Sequence, residues 1–270
     1  MFSYQAHASP LHTLNPAVKL FTMVAVGFAA AFVYQPLVPG LLALGLWVTA
    51  WWFGRLPLRL MARWTGYMLV LAWPLVLFTA LYTDLSRYAQ PHVYWSWGPW
   101  TLSREGLVVA AAVGLRMMVF MSASLLFIAT TEPTAFALSL AQNLHMPYRF
   151  AYGLLIAYRF LPTLRQEFLQ LQLAHQVRGV QERGGWRGWW DRWRRYATPL
   201  LAAALRKAER TALAMDAKAF GAFPKRTYYR QIPVRPRDWA FFAAWLGYIA
   251  AVYHVAHALG MVGWMWVPDA

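Results

Sequence analysis

Residues 106–129 read GLVVAAAVGLRMMVFMSASLLFIA, an apolar stretch in which Arg116 is the one charged residue. About 17 to 25 predominantly apolar residues are enough for a helix to cross the hydrocarbon core of a bilayer. Four similar stretches lie at residues 17–34, 37–54, 64–83 and 239–259. The sequence therefore predicts an all-α integral membrane protein with about five transmembrane helices.

The composition supports this class. Of 270 residues, 60% are hydrophobic and 13% are charged, which leaves too little polar surface for a soluble globule of this size. The absence of Cys excludes disulfides, thiolate metal sites and cysteine nucleophiles. The first basic residue is Lys19, and the apolar stretch after it has no convincing small-residue cleavage site. We therefore expect the first span to be retained rather than removed as a signal peptide.

The basic residues are concentrated in one segment. Residues 130–237 hold 18 of the 25 Lys and Arg residues and 6 of the 10 Asp and Glu residues. Since Lys and Arg mark the cytoplasmic side of membrane proteins and meet anionic lipid there, this charge favours a membrane surface over nucleic acid. The predicted organisation has three parts: residues 1–129 with four spans, residues 130–237 in the cytoplasm, and residues 238–270 with the last span.

Charges in the short loops predict the orientation. Arg55, Arg59 and Arg63 follow the second span without an acidic residue, whereas residues 84–105 balance acids against bases. The positive-inside rule then places the N-terminus inside and residues 84–105 outside, so that the C-terminus is also outside. The aromatic residues of the external loop are typical of headgroup anchors, and Gly98 and Pro99 predict a turn within it.

Two long helices are predicted inside the basic segment. The first begins at about Tyr148 and runs to Gly179, and the second ends near Gly221. Residues 181–188 contain three glycines and predict a loop between them. Each helix carries a stripe at helical spacing. The stripes are Leu164, Phe168, Leu171, His175 and Arg178 on the first helix, and Leu201, Leu205, Ala208, Ala212, Met215 and Ala219 on the second. Small residues in the second stripe favour close approach of another helix.

The two helices end alike, with a basic residue flanked mostly by small ones. The endings are Gln176-Val177-Arg178-Gly179 and Asp216-Ala217-Lys218-Ala219-Phe220-Gly221. The helix dipole favours a cation at a helix C-terminus, and such a cation can also pair with an acidic groove of a partner. One interpretation is that Arg178 and Lys218 only complement the dipole and contact lipid. The other is that both residues dock a partner protein.

Further motifs lie along most of the chain. They are Leu11-His12-Thr13-Leu14-Asn15-Pro16, Thr130-Thr131-Glu132-Pro133, Leu144-His145-Met146-Pro147, Tyr158-Arg159-Phe160-Leu161-Pro162 and Lys225-Arg226-Thr227-Tyr228-Tyr229-Arg230. Together with the two helix endings they resemble the transmembrane T component of energy-coupling factor (ECF) transporters, the EcfT/CbiQ family. In that family two cytoplasmic coupling helices end in Ala-Arg-Gly motifs that dock on a pair of ABC-type ATPases.

The resemblance implies a role for each ending. Val177, Arg178 and Gly179 correspond to the first motif with its Arg and Gly kept, while Ala217, Lys218 and Ala219 correspond to the second with both replaced. Lys keeps the charge but lacks the planar fork of Arg. Ala in place of Gly favours helix continuation by about 1 kcal/mol, so we expect the second helix to persist to Phe220.

The resemblance also implies the partners and the task. The chain would be a non-catalytic subunit in a prokaryotic cell membrane, with ATP and Mg²⁺ bound by two partner ATPases rather than by this chain. A separate small S component would carry the vitamin or metal. The helix stripes, which are Leu164, Phe168, Leu171, Leu201, Leu205, Ala208, Ala212 and Met215, would pack the helices together or contact that S component.

Two other function classes stay open. A membrane-embedded enzyme would have His254, His257 and Arg116 as its candidate site residues, although no third metal ligand accompanies the two histidines in the last span. A solitary permease or channel would need polar residues along several spans, and Arg116 is nearly alone. The chain lacks a phosphate-binding Walker sequence, so we do not expect it to hydrolyse ATP itself.

Overall fold

The computed structural model describes residues 9–33, 35–84, 92–98, 100–180, 185–223 and 227–260. Within these ranges a short 3₁₀ helix (Pro10–Thr13) precedes a series of α-helices and one pair of strands. In chain order the elements are α1 (Pro16–Ala31), α2 (Leu37–Trp52), α3 (Leu58–Leu81), β1 (Val93–Trp97), β2 (Trp100–Ser103), α4 (Arg104–Thr130), α5 (Pro133–Asn143), α6 (Tyr148–Val177), α7 (Gly185–Ala217) and α8 (Pro236–Ala258). The predicted all-α class is confirmed.

Three helices are long and apolar enough to cross a membrane: α3, α4 and α8, with 24, 27 and 23 residues. Large apolar side chains cover the outer surface of α3, where Val70, Leu71, Trp73 and Phe78 are exposed. A soluble protein rarely exposes such a continuous apolar surface. These helices therefore confirm the membrane character of the chain.

Helices α1 and α2 are shorter than their predicted spans, with 16 residues each. At 1.5 Å per residue each is about 24 Å long, less than the ~30 Å of a hydrocarbon core. Arg116, near the middle of α4, donates a hydrogen bond to the carbonyl oxygen of Val33 just beyond α1. Lys19, near the start of α1, reaches Thr130 at the end of α4. Helix α1 thus lies along the C-terminal half of α4, and a full crossing by α1 and α2 remains a prediction.

The chain divides into two compact units. The first comprises the described parts of Met1–Phe136 and Ile232–Ala270, and the second comprises those of Ala137–Gln231. In the first unit, α4 packs against α1, α2 and α3, while α8 packs against α1 and α2. Gly45 allows a close approach of α8 to α2, because a Cβ there would lie 2.5 Å from the Tyr248 ring. The Tyr248 hydroxyl donates to the carbonyl oxygen of Leu41 at 2.7 Å. Small residues thus let polar side chains satisfy backbone carbonyls between helices.

Strands β1 and β2 form an antiparallel hairpin, in a region for which the sequence predicts only a loop. Trp97 pairs with Trp100, and Ser96 pairs with Thr101. Gly98 supplies the positive φ of +58° at the turn, whereas Pro99 lies outside the described residues. Valine and aromatic residues favour strands. The composition of residues 93–97 therefore explains why this loop contains a hairpin.

In the second unit, α6 and α7 run antiparallel. The ring of Tyr148 at the start of α6 contacts that of Phe220, just beyond α7, with the ring centroids 5.6 Å apart. Midway along the pair, Lys207 Nζ forms an ion pair of 2.9 Å with Glu167 Oε1. Near the other end, Phe168 contacts Tyr196. Residues further along α6 therefore contact residues nearer the start of α7, which is the pattern of an antiparallel pair.

Two predicted boundaries in this unit need correction. Helix α6 begins at Tyr148 as predicted but ends at Val177, two residues before Gly179. Helix α7 begins at Gly185, so Gly185 and Gly188 belong to a helix rather than to the predicted loop at 181–188. Residues 181–184 lie outside the described ranges. The helical side-chain pattern after Gly185 outweighs the weak helix propensity of glycine.

Candidate functional site

The ending of α6 is a compact hydrogen-bonded turn. The backbone N–H of Gly179 donates to the carbonyl oxygen of Gln176 at 3.0 Å, and the N–H of Val180 donates to that of His175 at 3.2 Å. Gly179 has a φ of +68°, in the left-handed region. This pair of bonds with a left-handed residue is the Schellman motif, which satisfies the last carbonyls of a helix. Arg178 is the residue between the helix and the left-handed glycine.

The ending of α7 repeats the same motif. The N–H of Ala219 donates to the carbonyl oxygen of Asp216 at 2.9 Å, and that of Phe220 donates to Met215 at 3.0 Å. Ala219 has a φ of +55°, and Lys218 precedes it as Arg178 precedes Gly179. Since α7 ends at Ala217, the expectation that this helix persists to Phe220 is wrong.

Contacts with the start of α6 explain that early ending. The Phe220 ring contacts Tyr148 and Tyr152, and Arg149 donates a hydrogen bond to the carbonyl oxygen of Gly221 at 3.2 Å. The Tyr148 hydroxyl donates to the carbonyl oxygen of Phe223. Together these contacts outweigh the roughly 1 kcal/mol by which alanine favours a helix over glycine.

Both basic side chains are exposed. Val177 is 90% exposed, and Arg178, Gly179, Ala217, Lys218 and Ala219 are exposed with it. Within the described ranges, neither Arg178 nor Lys218 makes a hydrogen bond or ion pair through its side chain. All six predicted docking residues therefore lie on open surface, where the two cations are free to pair with acidic groups of a partner.

The antiparallel packing separates the two endings. Arg178 follows the C-terminus of α6 and Lys218 follows that of α7, so they lie at opposite ends of the helix pair. The 30 residues of α6 correspond to a length of about 45 Å. One helix pair therefore presents two similar basic turns at two separate places.

The two predicted stripes differ in their surroundings: the α6 stripe faces the other helix, whereas the α7 stripe is mostly exposed. Leu164 and Leu171 are half-buried on α6, and Phe168 contacts Tyr196 of α7. By contrast, Leu201, Leu205, Ala208 and Ala212 are exposed, while Met215 is half-buried. The α6 stripe thus contributes to packing between the two helices. The α7 stripe leaves an open surface with small residues.

Sequence reasoning missed a buried polar cluster in the first unit. The Lys19 side chain is 2% exposed, and its Nζ donates to the carbonyl oxygen of Thr130 at 2.8 Å. The Asp238 carboxylate, also buried, accepts from the backbone N–H groups of Asn15 and Arg235. The start of α1, the end of α4 and the start of α8 therefore meet on one side. The presence of a lysine at the start of an apolar helix is the sequence feature that could have indicated this cluster.

The candidate residues of the alternative enzyme site lie on α4 and α8. His254 and His257 are exposed on α8, and Arg116 donates to the Val33 carbonyl oxygen. Across the described part of the chain, no group of three or more His, Asp or Glu side chains could hold a metal ion. The arrangement of Arg116 is that of a cation that caps the end of a neighbouring helix.

Comparison with known proteins identifies relatives over most of the chain. Residues 7–229 match the model of the CbiQ family, described as cobalt transport protein. The ECF transporter transmembrane protein EcfT of Limosilactobacillus fermentum is 31% identical over 85% of this chain and 87% of its own length. The EcfT protein of Thermanaerovibrio acidaminovorans is 28% identical over 93% of this chain and 94% of its own. A longer Bifidobacterium longum protein, named as an ABC transporter ATP-binding protein, is 29% identical over 90% of this chain and 32% of its own length.

Proposed function

Because the chain belongs to the CbiQ family and is a transmembrane component of the ECF transporter type, we propose that it transmits ATP-driven motion from two ABC-type ATPase subunits to a separate substrate-binding membrane protein. The task would be micronutrient uptake, of a vitamin or a metal. The chain itself would be non-catalytic, since ATP and Mg²⁺ would be bound by the ATPases.

One observation carries this proposal: the same basic turn occurs at both ends of one antiparallel helix pair. Arg178 and Lys218 have equivalent backbone positions and exposed side chains. Two equivalent basic turns could each bind one of two similar ATPase subunits. A partner groove with acidic residues would pair with each cation.

The Bifidobacterium relative supports an ATPase partner. About a third of that protein is similar to this chain, and the protein as a whole is named as an ATP-binding protein. Physical linkage of two functions in one chain is consistent with assembly of separate chains in another organism. In the present protein, the Arg178 turn and the Lys218 turn would supply that assembly.

The packing of α6 on α7 gives a means of transmission. The Glu167–Lys207 ion pair and the ring contact of Phe168 with Tyr196 tie the two helices together along their length. A packed pair moves more readily as one body than two independent helices do. The exposed α7 stripe of Leu201, Leu205, Ala208 and Ala212 would then contact the S component. In this account both coupling helices lie in the cytoplasm of a prokaryotic cell.

Purification from the native membrane in mild detergent tests the proposal. An affinity tag on this chain should recover two ATPase subunits and a small hydrophobic membrane protein, identified by mass spectrometry. An enzyme that acts alone would be recovered without ATPases, as would a solitary permease. Recovery of the intact, membrane-extracted chain without any ATPase would contradict the coupling role.

A further inference from the structure

The first three turns of α7 carry an unusual sequence, Trp186-Arg187-Gly188-Trp189-Trp190-Asp191-Arg192-Trp193-Arg194-Arg195-Tyr196. Its four tryptophans follow the spacing i, i+3, i+4 and i+7, which places them on one side of a helix. We call Trp186, Trp189, Trp190 and Trp193 the tryptophan face. This face shares no residue with the two basic turns or with the α7 stripe.

The four indole rings form one surface cluster. Trp189 stacks on Trp186 with ring centroids 5.5 Å apart, and it also contacts Trp190 and Trp193. Trp186, Trp190 and Trp193 are nevertheless 81%, 63% and 59% exposed. A contiguous exposed patch of large apolar rings indicates an interaction surface.

The tryptophan face lies beside the side of α7 that packs on α6. Next to this face on α7, Tyr196 follows Trp193 by three residues and contacts the rings of Phe168 and His175 at centroid distances of 5.3 and 5.4 Å. Arg192 and Arg195 line a small cavity with His175 on that same side. Packing against α6 therefore uses the neighbouring side of this helix and leaves Trp186, Trp190 and Trp193 largely exposed.

The charge beside this face favours an anionic partner. Residues 186–196 contain four arginines and one acid, Asp191, and the Arg194 side chain is exposed. Tryptophan rings prefer the headgroup layer of a bilayer, while arginine pairs with lipid phosphates. An amphipathic helix with aromatic residues on one side and cations beside them lies in the plane of such an interface.

The position of α7 in the chain, between two candidate membrane-spanning helices, favours a bilayer as its partner. The segment that contains α7 follows α4 and is followed by α8, and both of those helices are long and apolar enough to cross a membrane. A tethered surface meets its partner at a high effective concentration.

We propose that the tryptophan face inserts into the headgroup layer of an anionic phospholipid membrane, on the cytoplasmic side, and holds the start of α7 at the bilayer surface. The occupant is lipid rather than a protein subunit. This interaction goes beyond the proposed coupling function and does not require that either basic turn docks an ATPase.

A site-directed fluorescent probe tests this proposal, because the chain has no Cys. Trp186→Cys and Trp190→Cys are each labelled with an environment-sensitive dye in the full chain, together with whatever subunits co-purify. Gln170→Cys on α6 is the control, as Gln170 is also exposed. The labelled proteins are placed in nanodiscs of phosphatidylcholine with phosphatidylglycerol. Quenching is then measured with nitroxide-labelled lipid and, separately, with aqueous iodide.

We expect lipid nitroxide to quench the dye at 186 and at 190 but not at 170, and iodide to show the reverse preference. Quenching at 186 and 190 by iodide alone would overturn the proposal, since the face would then be in water. Protection from both quenchers would also overturn it, because a protein subunit would then cover the face. Use of two tryptophan positions guards against a local disturbance at either one.

Nanodiscs of phosphatidylcholine alone test the role of charge. We expect lipid quenching at 186 to fall when phosphatidylglycerol is omitted, and Arg194→Gln to reduce this dependence on anionic lipid. Equal quenching in both lipid compositions would overturn the anionic specificity. Arg165→Gln on α6 provides a control that removes the same charge elsewhere.

Discussion

Gly179 and Ala219 occupy the same position in two copies of one helix ending. Both have left-handed backbones, with φ of +68° and +55°, and both follow an exposed basic residue. In each copy the next residue donates to the carbonyl oxygen five positions earlier. Glycine adopts this conformation freely, whereas alanine pays about 1 kcal/mol for it. The equivalence of the two turns is therefore a property of the backbone and not only of the charges.

Ala219→Gly and Gly179→Ala should have opposite effects on the stability of the protein. Ala219→Gly relieves the left-handed strain, so we expect stabilisation of about 1 kcal/mol, or a rise in melting temperature of roughly 2 to 4 °C. Gly179→Ala introduces the strain and should lower stability by a similar amount, because its added Cβ would meet no neighbouring atom. Thermal unfolding of the purified protein measures both.

Ala217→Gly serves as the control for this pair, since Ala217 is the last residue of α7. Glycine within a helix costs about 1 kcal/mol relative to alanine, so this substitution should destabilise. If Ala219→Gly lowers the melting temperature as Ala217→Gly does, the left-handed turn at Ala219 is not the conformation of the protein.

The buried Lys19 should be important for stability of the first unit. Its hydrogen bond to Thr130 and its electrostatic interaction with Asp238 join three helix ends. Lys19→Met would remove the hydrogen bond to Thr130 and leave that buried carbonyl oxygen without its lysine partner, at a cost of about 1 to 3 kcal/mol. Chemical unfolding in detergent should show this loss.

Asp238→Asn provides the second half of a double-mutant cycle. Since the electrostatic interaction with Lys19 is already lost in the Lys19→Met background, the double variant should be less destabilised than the sum of the two single variants. Additive losses would show that Lys19 and Asp238 are not energetically coupled.

Lys218 should act through its charge. Lys218→Arg restores the residue typical of the family and should retain or strengthen ATPase association, whereas Lys218→Ala should weaken it. Ala219→Leu places a bulky β-carbon substituent in a left-handed, exposed position and should also disturb the turn. Retention of ATPases is measured by co-purification. Unchanged retention in both Lys218→Ala and Ala219→Leu would exclude the second turn as a docking site.

The predicted topology can be tested with single cysteines. Ser96→Cys on β1 should react with an impermeant thiol reagent added to intact cells, while Gln170→Cys on α6 should react only after the cells are opened. Both positions are exposed. Gly185 is a poorer choice than Gln170 because its φ is +85°. Equal labelling of the two cysteines in intact cells would contradict the orientation.

Local sequence signals were sufficient for much of this fold. The start of α6 at Tyr148 follows from Pro147, and the three longest apolar stretches appear as α3, α4 and α8. Proline and apolar length act on the chain segment that contains them, so one sequence reveals them. Membership of the CbiQ family could likewise be inferred from motifs within short segments.

Contacts between distant segments were not predictable in the same way. The left-handed Ala219 depends on the contacts of Tyr148 and Arg149 with the chain that follows α7. The burial of Lys19 depends on a carbonyl 111 residues away. The start of α7 is different, because the tryptophan spacing from Trp186 onward is a helical signal that the nearby glycines obscured.

Charge reversal at Arg178 tests the central claim most directly. Arg178→Glu keeps an exposed side chain at the end of α6 but inverts its charge, so attraction to an acidic groove becomes repulsion. At a close interfacial charge pair this costs several kcal/mol, whereas an exposed unpaired cation contributes under about 1 kcal/mol. Arg165→Glu is the matched control, because Arg165 is exposed on the same helix.

The measurement is the amount of ATPase that co-purifies with each tagged variant from equal quantities of membrane-inserted protein. The account predicts that Arg178→Glu loses most of its ATPase, more than tenfold relative to the parent chain, while Arg165→Glu retains it. Full retention by Arg178→Glu, with both variants inserted normally in the membrane, would contradict the role of the first basic turn as an ATPase dock.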